Sequence, residues 1–187
     1  MNRDAICARL PHAGRMCLLE RLAAWDSESI VCHATSHRDA DNPLRSGGRL
    51  HAVTGVEYAA QAMVLHGSLL AAPDAPTAMD GGSAGNAGAV FRPTAMDGGS
   101  AEREAVPTGT NAGAVFRPTA IGYLASVRDL KLDLEDLGAI TEDLHITARR
   151  LGGDAGGFIY EFEIRAGSEV VLNGRLAAKL LAAGAAS

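Results

Sequence analysis

The spacing of apolar and polar residues changes along the chain, and each change predicts a different element. Residues 29–37 (SIVCHATSH) are β-branched and alternating, which predicts a strand. A polar, glycine-containing loop follows from Arg38 to Leu50. Apolar residues then recur with helical spacing over 51–70 (HAVTGVEYAAQAMVLHGSLL). Because this segment is apolar nearly all round, we expect a buried central helix.

The last third of the chain returns to alternation. Apolar and polar positions alternate in residues 121–134, 142–151, 157–166 and 169–181. Alternating segments joined by short glycine-containing turns are typical of antiparallel strands. One long helix against one curled antiparallel sheet is the simplest way to bury both apolar faces. We therefore predict an α+β fold with a single domain over residues 1–187.

A duplicated stretch separates the helix from these strands. PTAMDGGSA occurs at 76–84 and 93–101, and NAGAVFRPTA occurs at 86–95 and 111–120. Two copies do not make a repeat array, which needs about three stacked units. The stretch is rich in glycine and poor in large apolar residues. We predict that 71–117 is a mobile, low-complexity insertion containing a recent duplication, or an irregularity of the recorded sequence, and we assign it no chemistry.

Composition and charge narrow the classes of function. The chain has 187 residues and a formal net charge of −5, which argues against nucleic-acid binding through overall charge. No apolar run approaches the roughly 20 residues of a membrane-spanning helix, and the N-terminus lacks an apolar signal core. Cys7, Cys17 and Cys32 include no CxxC pair, which predicts neither a disulfide framework nor a zinc site. We expect a cytoplasmic protein with reduced cysteines, without cofactor or metal.

One carboxylate lies inside the apolar helix. Glu57 is surrounded in sequence by Val56, Ala60 and Met63, and Gln61 follows one turn later. A buried carboxylate is costly unless it is paired or protonated. Its burial therefore makes Glu57 a candidate functional residue.

Two segments resemble the bacterial 3-hydroxyacyl-acyl-carrier-protein dehydratases. LPHAGRMCLLERL at 10–22 is similar to their LPH-x-x-P-x-LL-[DE]-R opening. GVEYAAQAM at 55–63 is similar to their helix, in which a glutamate precedes a glutamine by four residues. Together with SHRDADNPLR, this helix is most similar to the divergent dehydratases of aryl polyene clusters. The resemblance covers the chain outside 71–117 and implies a hotdog fold, with one long central helix wrapped by a curled antiparallel sheet.

The resemblance also implies an activity. Members of this family dehydrate 3-hydroxyacyl thioesters of acyl carrier protein in fatty-acid or polyene/polyketide biosynthesis. A histidine removes the α-proton, and a carboxylic acid on the partner protomer's helix protonates the departing hydroxyl. Glu57 is the expected acid, kept protonated by apolar surroundings, and Gln61 is expected to orient it through an i, i+4 contact.

The resemblance does not identify the base as directly as the acid, because the HFPG segment that carries the family's histidine is missing. Two candidates remain: His37, at the expected end of the first strand, and His51, at the start of the helix. We expect His37 to be the base, since the dipole of the helix N-terminus disfavours the charged form of His51. His51 stays the alternative. His12, in LPHAG, is expected to be a packing or turn residue, as in the family.

Substrate contacts are expected near the helix start. Backbone amides of Ala52, Val53 and Gly55 are expected to bind the thioester oxygen. Arg45 and Arg49 are expected to bind the phosphate of the phosphopantetheine arm of acyl carrier protein, because guanidinium groups donate two parallel hydrogen bonds.

Two other functions fit the same features. The missing HFPG segment is compatible with a non-catalytic subunit that pairs with an active dehydratase. A hotdog thioesterase would use a carboxylate to activate water, and fold alone does not separate it from a dehydratase. The expected assembly is a homodimer, or a heterodimer with another hotdog subunit.

Overall fold

The computed structural model describes residues 1–71, 120–154 and 157–182, with backbone alone for 120–123, 154 and 180–182. Apart from Ala71, the predicted insertion at 71–117 lies outside the described residues.

The described residues form two α-helices and six strands. In chain order these are α1 (Arg3–Cys7), β1 (Arg21–Trp25), β2 (Ser29–Ala34), α2 (Gly55–Leu70), β3 (Ala120–Leu132), β4 (Leu144–Asp154), β5 (Gly157–Ala166) and β6 (Glu169–Ala182). Short 3₁₀ turns lie at Gly14–Met16, Ser36–Arg38, Ala52–Thr54 and Leu137–Ala139. The predicted long helix and the four late strands are confirmed. β1 comes from an apolar segment in which the sequence pattern predicted no strand.

The strands form a single antiparallel sheet in the order β1-β2-β4-β5-β6-β3. β2 joins the N-terminal strands to the later ones, because its register with β4 runs from Ser29 opposite Arg149 to Ala34 opposite Leu144. β3 lies at the end of the sheet and pairs with β6. One long helix against a curled antiparallel sheet confirms the predicted α+β architecture.

α2 supplies the centre of the core. Tyr58 and Leu65 on this helix are fully buried in one cluster with Ile146 of β4 and Phe162 of β5. A polar link also ties the helix to the sheet: the His66 ring lies 2.7 Å from the Asp26 carbonyl through Nε2 and 2.9 Å from the Tyr160 hydroxyl through Nδ1. Because a carbonyl only accepts, Nε2 carries the proton and the neutral ring accepts from Tyr160 at Nδ1. The buried polar atoms of His66 and Tyr160 are thus paired with each other and with the Asp26 carbonyl.

At the start of α2, glycine allows the helix to approach β6 closely. A Cβ added at Gly55 would lie 2.7 Å from both terminal carbons of Leu172, a side chain that is itself fully buried. A Cβ added at Gly67, near the other end of the helix, would meet nothing within 4 Å.

We therefore expect Gly55→Ala to lower the free energy of unfolding by about 1–3 kcal/mol through overpacking. The matched variant Gly67→Ala should raise it by up to about 1 kcal/mol, because alanine favours the helix over glycine. Urea unfolding of both variants measures the difference. Equal effects of the two substitutions would contradict the tight contact with Leu172.

The cysteines differ from expectation. Cys7 and Cys17 form a disulfide with their Cα atoms 5.7 Å apart, so the prediction of reduced cysteines is wrong for this pair. The chain between them turns back at Gly14, whose φ of 60° suits glycine, and no sequence motif marks this return. Cys32 is buried, and burial raises the pKa of its thiol to about 12, which makes it unreactive.

Candidate active site

Glu57 lies on a side of α2 that the sheet leaves partly open. Its side chain is 30% exposed, so the expected burial is wrong for the single chain. Val56, Ala60 and Val64 lie on this side of α2, and Val53 lies in the 3₁₀ turn just before it. None of these four side chains is fully buried, so this surface is partly uncovered. The helix is apolar all round, as predicted, but the chain's own sheet covers only part of it. We call these four residues with Glu57 the open stripe of α2.

Two side chains contact the same oxygen of Glu57. His12 Nε2 lies 3.3 Å from Glu57 Oε1, and Gln61 Nε2 donates to Oε1 at 3.1 Å. The i, i+4 contact between Glu57 and Gln61 is thus present in the structure. His12, expected to be a packing or turn residue, contacts the carboxylate instead.

Gln61 fixes the orientation of this group. It is fully buried, and its Oε1 accepts from the Leu18 amide at 2.9 Å while its Nε2 donates to the Met16 carbonyl at 2.7 Å. Since the Leu18 amide requires an oxygen, the NH₂ group of Gln61 must face Met16 and Glu57. Gln61 therefore joins α2 to the segment that follows His12, and it makes Glu57 Oε1 a hydrogen-bond acceptor.

The structure does not bring His37 to Glu57. β2 ends at Ala34, and His37 lies beyond it in the 3₁₀ turn Ser36–Arg38, fully buried. Neither of its ring nitrogens has a hydrogen-bond partner among the described residues. Burial lowers the pKa of His37, the Arg38 charge lowers it further, and the carbonyls of Ile140 and Glu142 oppose the shift. Within the described chain its ring has no exposed surface from which to reach a substrate.

His51 is exposed and lines a cleft beside the start of α2. The cleft has a volume of about 600 Å³ and is lined by Arg49, His51, Ala52, Val53 and residues 132–135. The amide of Ala52 donates to the Glu135 carbonyl, and that of Gly55 donates to the carbonyls of Ala52 and Val53. Of the three amides expected to bind a thioester oxygen, Val53 remains the candidate.

The arginines of the loop before α2 have partners within the chain. Arg45 donates through Nε to the Asp39 carbonyl, through Nη1 to that of Gly48 and through Nη2 to that of His37, at 2.7, 3.1 and 3.0 Å. Arg45 therefore holds the loop together, and its expected role as a phosphate ligand competes with these bonds.

Arg49 is more open. Its guanidinium is half exposed and lies 3.4 Å from both Glu135 and Asp136. Exposed ion pairs of this length are weak, so a phosphate can compete for Arg49.

Buried histidines predict a dependence of stability on pH. Burial is the largest cause that lowers the pKa of His33, His37 and His66 from the ordinary value of 6.5. The unfolded chain then binds more protons than the folded chain once the pH falls below about 6.5, so folding is weakened there. Asp143, whose pKa is lowered chiefly by a hydrogen bond from Arg38, titrates in a lower range.

We expect the free energy of unfolding, measured with urea, to decrease between about pH 7.5 and about pH 5.5. His37→Leu should reduce this decrease, because it removes one group that takes up a proton on unfolding. A stability that is flat over this range would contradict neutral burial of the three rings.

The described parts of the chain contain no cluster of three or more side chains that could hold a metal ion. They also contain no helix with the length and apolar character needed to cross a membrane.

Comparison with known proteins bears on the family. The family model of the ApeP dehydratases (ApeP-like) matches residues 5–79, which include His12, Glu57 and Gln61. A search of curated proteins gives no match. Among solved structures, the chain is similar to the dehydratase heterocomplex ApeI:P from Xenorhabdus doucetiae, with a TM-score of 0.64, 18% identity, and coverage of 94% of this chain and 90% of that chain. It is also similar to a proposed thioesterase from Silicibacter sp. TM1040, with a TM-score of 0.52, 11% identity, and coverage of 97% and 92%.

The two structural matches have low sequence identity and therefore show the hotdog fold alone. The family model matches the sequence of the N-terminal part of this chain. Residues 5–79 thus match the ApeP-like dehydratase family model, in agreement with the sequence resemblance, and the described chain has the hotdog fold that the resemblance predicted.

Proposed function

We propose that the protein is a dehydratase subunit that removes water from 3-hydroxyacyl thioesters of acyl carrier protein, in fatty-acid or polyene/polyketide biosynthesis. The observation that carries this proposal is the contact of His12 with Glu57, oriented by Gln61, on the open stripe of α2. All three residues lie in the part of the chain that the dehydratase family model matches. The similar heterocomplex is itself named a dehydratase, which supports the same reaction class.

His12 and Glu57 suit this reaction because dehydration removes one proton from the substrate and delivers one to the leaving hydroxyl. A base removes the α-proton, the C–O bond at the 3-position breaks, and an acid protonates the leaving hydroxyl, which gives an enoyl thioester and water. We assign Glu57 as the acid and His12, in place of His37, as the base. After one turnover the pair holds as many protons as before, and proton exchange between Nε2 and the carboxylate restores the starting state.

The separation of the two groups is compatible with this role. At 3.3 Å, the imidazole and the carboxyl group are close enough to exchange a proton, and each side chain is 30% exposed, so a substrate can reach both. The reaction requires a neutral imidazole as the base and a protonated carboxyl group as the acid.

The cleft at the start of α2 offers a place for the thioester and its arm. We propose that the Val53 amide binds the thioester oxygen and that Arg49 binds the pantetheine phosphate in this cleft. Both residues line this cleft, and Val53 lies one helical turn before Glu57. The expected role of Arg45 becomes an indirect one, through the loop that it holds.

A second hotdog subunit completes the assembly in this proposal. β3 ends the sheet and exposes three apolar side chains, Leu124, Val127 and Leu132. A strand edge with exposed apolar residues favours pairing with another strand. The apolar residues of the open stripe of α2 are not fully buried either, and a partner subunit would remove them from water. The similar protein named as a heterocomplex supports a different hotdog chain as the partner.

A non-catalytic role is the alternative, and the burial of His37 together with the missing HFPG segment favours it. The chain would then stabilise an active dehydratase without taking part in proton transfer. A thioesterase is the other alternative that shares this fold.

The test is incubation of the full-length protein with 3-hydroxyacyl-acyl carrier protein, alone and with the ApeI subunit of the similar heterocomplex, followed by mass spectrometry of the carrier. We expect the carrier-bound acyl chain to lose water in at least one of the two mixtures, at a rate above that of ApeI alone. Release of free acid and unloaded carrier would support the thioesterase instead. An unchanged carrier in both mixtures would overturn the proposed reaction.

A further inference from the structure

The segment that carries His12 has an unusual number of attachments for a loop. Residues 8–20, here called the His12 loop, contain no α-helix or strand and a single 3₁₀ turn. The disulfide from Cys7 to Cys17 closes the loop near its base. Arg3 Nη2 donates to the carbonyls of Gly14 and Cys17, at 3.3 and 3.0 Å.

Cys17 is the point where this cross-link meets the candidate active site. Its neighbours Met16 and Leu18 supply the carbonyl and the amide that hold Gln61, and Gln61 holds Glu57. The cross-link and the catalytic carboxylate are therefore connected through one buried side chain.

The ring of His12 itself has little to fix it. Its Nε2 faces Glu57, whereas Nδ1 is buried and has no hydrogen-bond partner among the described residues. Imidazoles that act in catalysis are usually oriented by a second hydrogen bond at the other nitrogen. In the described chain, the position of the His12 ring is set by the backbone of the His12 loop.

We propose that the Cys7–Cys17 disulfide is a positioning element that holds His12 against Glu57, so that opening the disulfide lowers turnover. This inference rests on the proposed function for its effect on rate. The Cα separation of 5.7 Å is within the usual range of disulfides, so the folded loop accommodates the bond.

A dithiol opens the cross-link without other chemistry. One thiolate of dithiothreitol attacks the sulfur of Cys7, the less buried of the two, and releases the Cys17 thiolate; its second thiolate then releases Cys7. Two electrons pass to the protein, dithiothreitol becomes a cyclic disulfide, and two protons complete the cysteine thiols. Cys32 is the chain's remaining cysteine, and it is removed from the experiment by Cys32→Ala.

The experiment compares the oxidised, reduced and reoxidised forms of the full-length Cys32→Ala protein, in whichever assembly dehydrates the carrier substrate. Dithiothreitol is removed by gel filtration before each assay. We expect reduction to lower kcat by about tenfold or more, because small displacements of a catalytic group are costly, with KM changed little. Reoxidation should restore kcat. An equal kcat in the oxidised and reduced forms would overturn the proposal.

Two variants separate positioning from general loss of stability. Cys7→Ala/Cys17→Ala in the same background should have the low kcat of the reduced form and no response to dithiothreitol. Ile6→Val removes a methylene group from the core next to Cys7 but keeps the disulfide, so it should lower the melting temperature while kcat remains near that of the parent. A response of the double variant to dithiothreitol, or a matching loss of kcat in Ile6→Val, would contradict positioning by the cross-link.

A readout without substrate separates this inference from the proposed function. The ring resonances of His12, assigned with His12→Gln, should move on reduction and return on reoxidation, while those of His66 stay in place. Movement of the His12 signals in a protein that dehydrates nothing would retain the positioning and reject the function. Unchanged His12 signals on reduction would reject the positioning, whatever the activity.

Discussion

Glu57→Gln is expected to lower kcat for loss of water by about a hundredfold or more while the protein stays folded. The glutamine side chain has nearly the same shape, and its oxygen can still accept from Gln61 Nε2, but it has no proton to deliver to the leaving hydroxyl. Mass spectrometry of the carrier-bound product gives the rate, and a thermal melt checks the fold.

Glu161→Gln, at an exposed position of β5, is the matched control and should retain the parent rate. A kcat for Glu57→Gln within a few-fold of the parent would remove Glu57 from proton transfer. If Glu57→Gln still increased the dehydration rate of ApeI as the parent protein does, the non-catalytic role would replace the proposed one.

His12→Ala should have an effect on kcat close to that of Glu57→Gln, because it removes the group assigned as the base, again by about a hundredfold. His37→Ala should instead lower the free energy of unfolding by about 1–3 kcal/mol, since it leaves a cavity at a fully buried position, and should keep kcat. His51→Ala should change either quantity little, as its side chain is exposed.

The ranking of these three substitutions decides the base. A larger loss of kcat in folded His37→Ala than in His12→Ala would restore the assignment expected from sequence. A larger loss in His51→Ala would move the base to the start of α2. Rates are compared per folded protein, with the folded fraction taken from the urea transition of each variant.

Sequence periodicity predicts best the long regular elements whose apolar positions face the core. α2 and the late strands repeat their apolar positions over ten or more residues, so the pattern outweighs local exceptions. β1 has five residues, of which Ala23 and Ala24 are both exposed, and so short a segment shows no clear alternation. Its strand geometry comes from pairing with β2, which periodicity within the segment does not encode.

The candidate site was predictable where it depends on spacing within one helix. The contact of Glu57 with Gln61 follows from four residues of separation on α2. The contact of Glu57 with His12 depends on the return of an irregular loop, and local spacing contains no information on that return. One signal was available: Gln61 is a polar residue in a buried helix, and it needs backbone partners from another segment. The LPH…LLER segment was the natural place to look for them.

His37 shows how a strand boundary misleads. The prediction placed it at the end of a strand, where a catalytic side chain is rigid and accessible. β2 ends three residues earlier, and the chain then makes a 3₁₀ turn in which His37 is fully buried and its carbonyl accepts from Arg45. The ends of helices and strands are the features that a sequence pattern predicts least precisely.

The pairing of β2 with β4 has a consequence for the newly made protein. The N-terminal part leaves the ribosome with β1, β2 and α2 complete, yet Ser29 finds its partner Arg149 only when most of the chain has been translated. Until then one edge of β2 lacks its neighbour, and the apolar surface of α2 lacks β4 and β5, so the nascent segment exposes groups that favour aggregation. Such long-range pairing also slows folding. Recombinant yield of this protein should therefore depend on the speed of translation and on chaperones that cover nascent chains, more than on the stability of the finished fold.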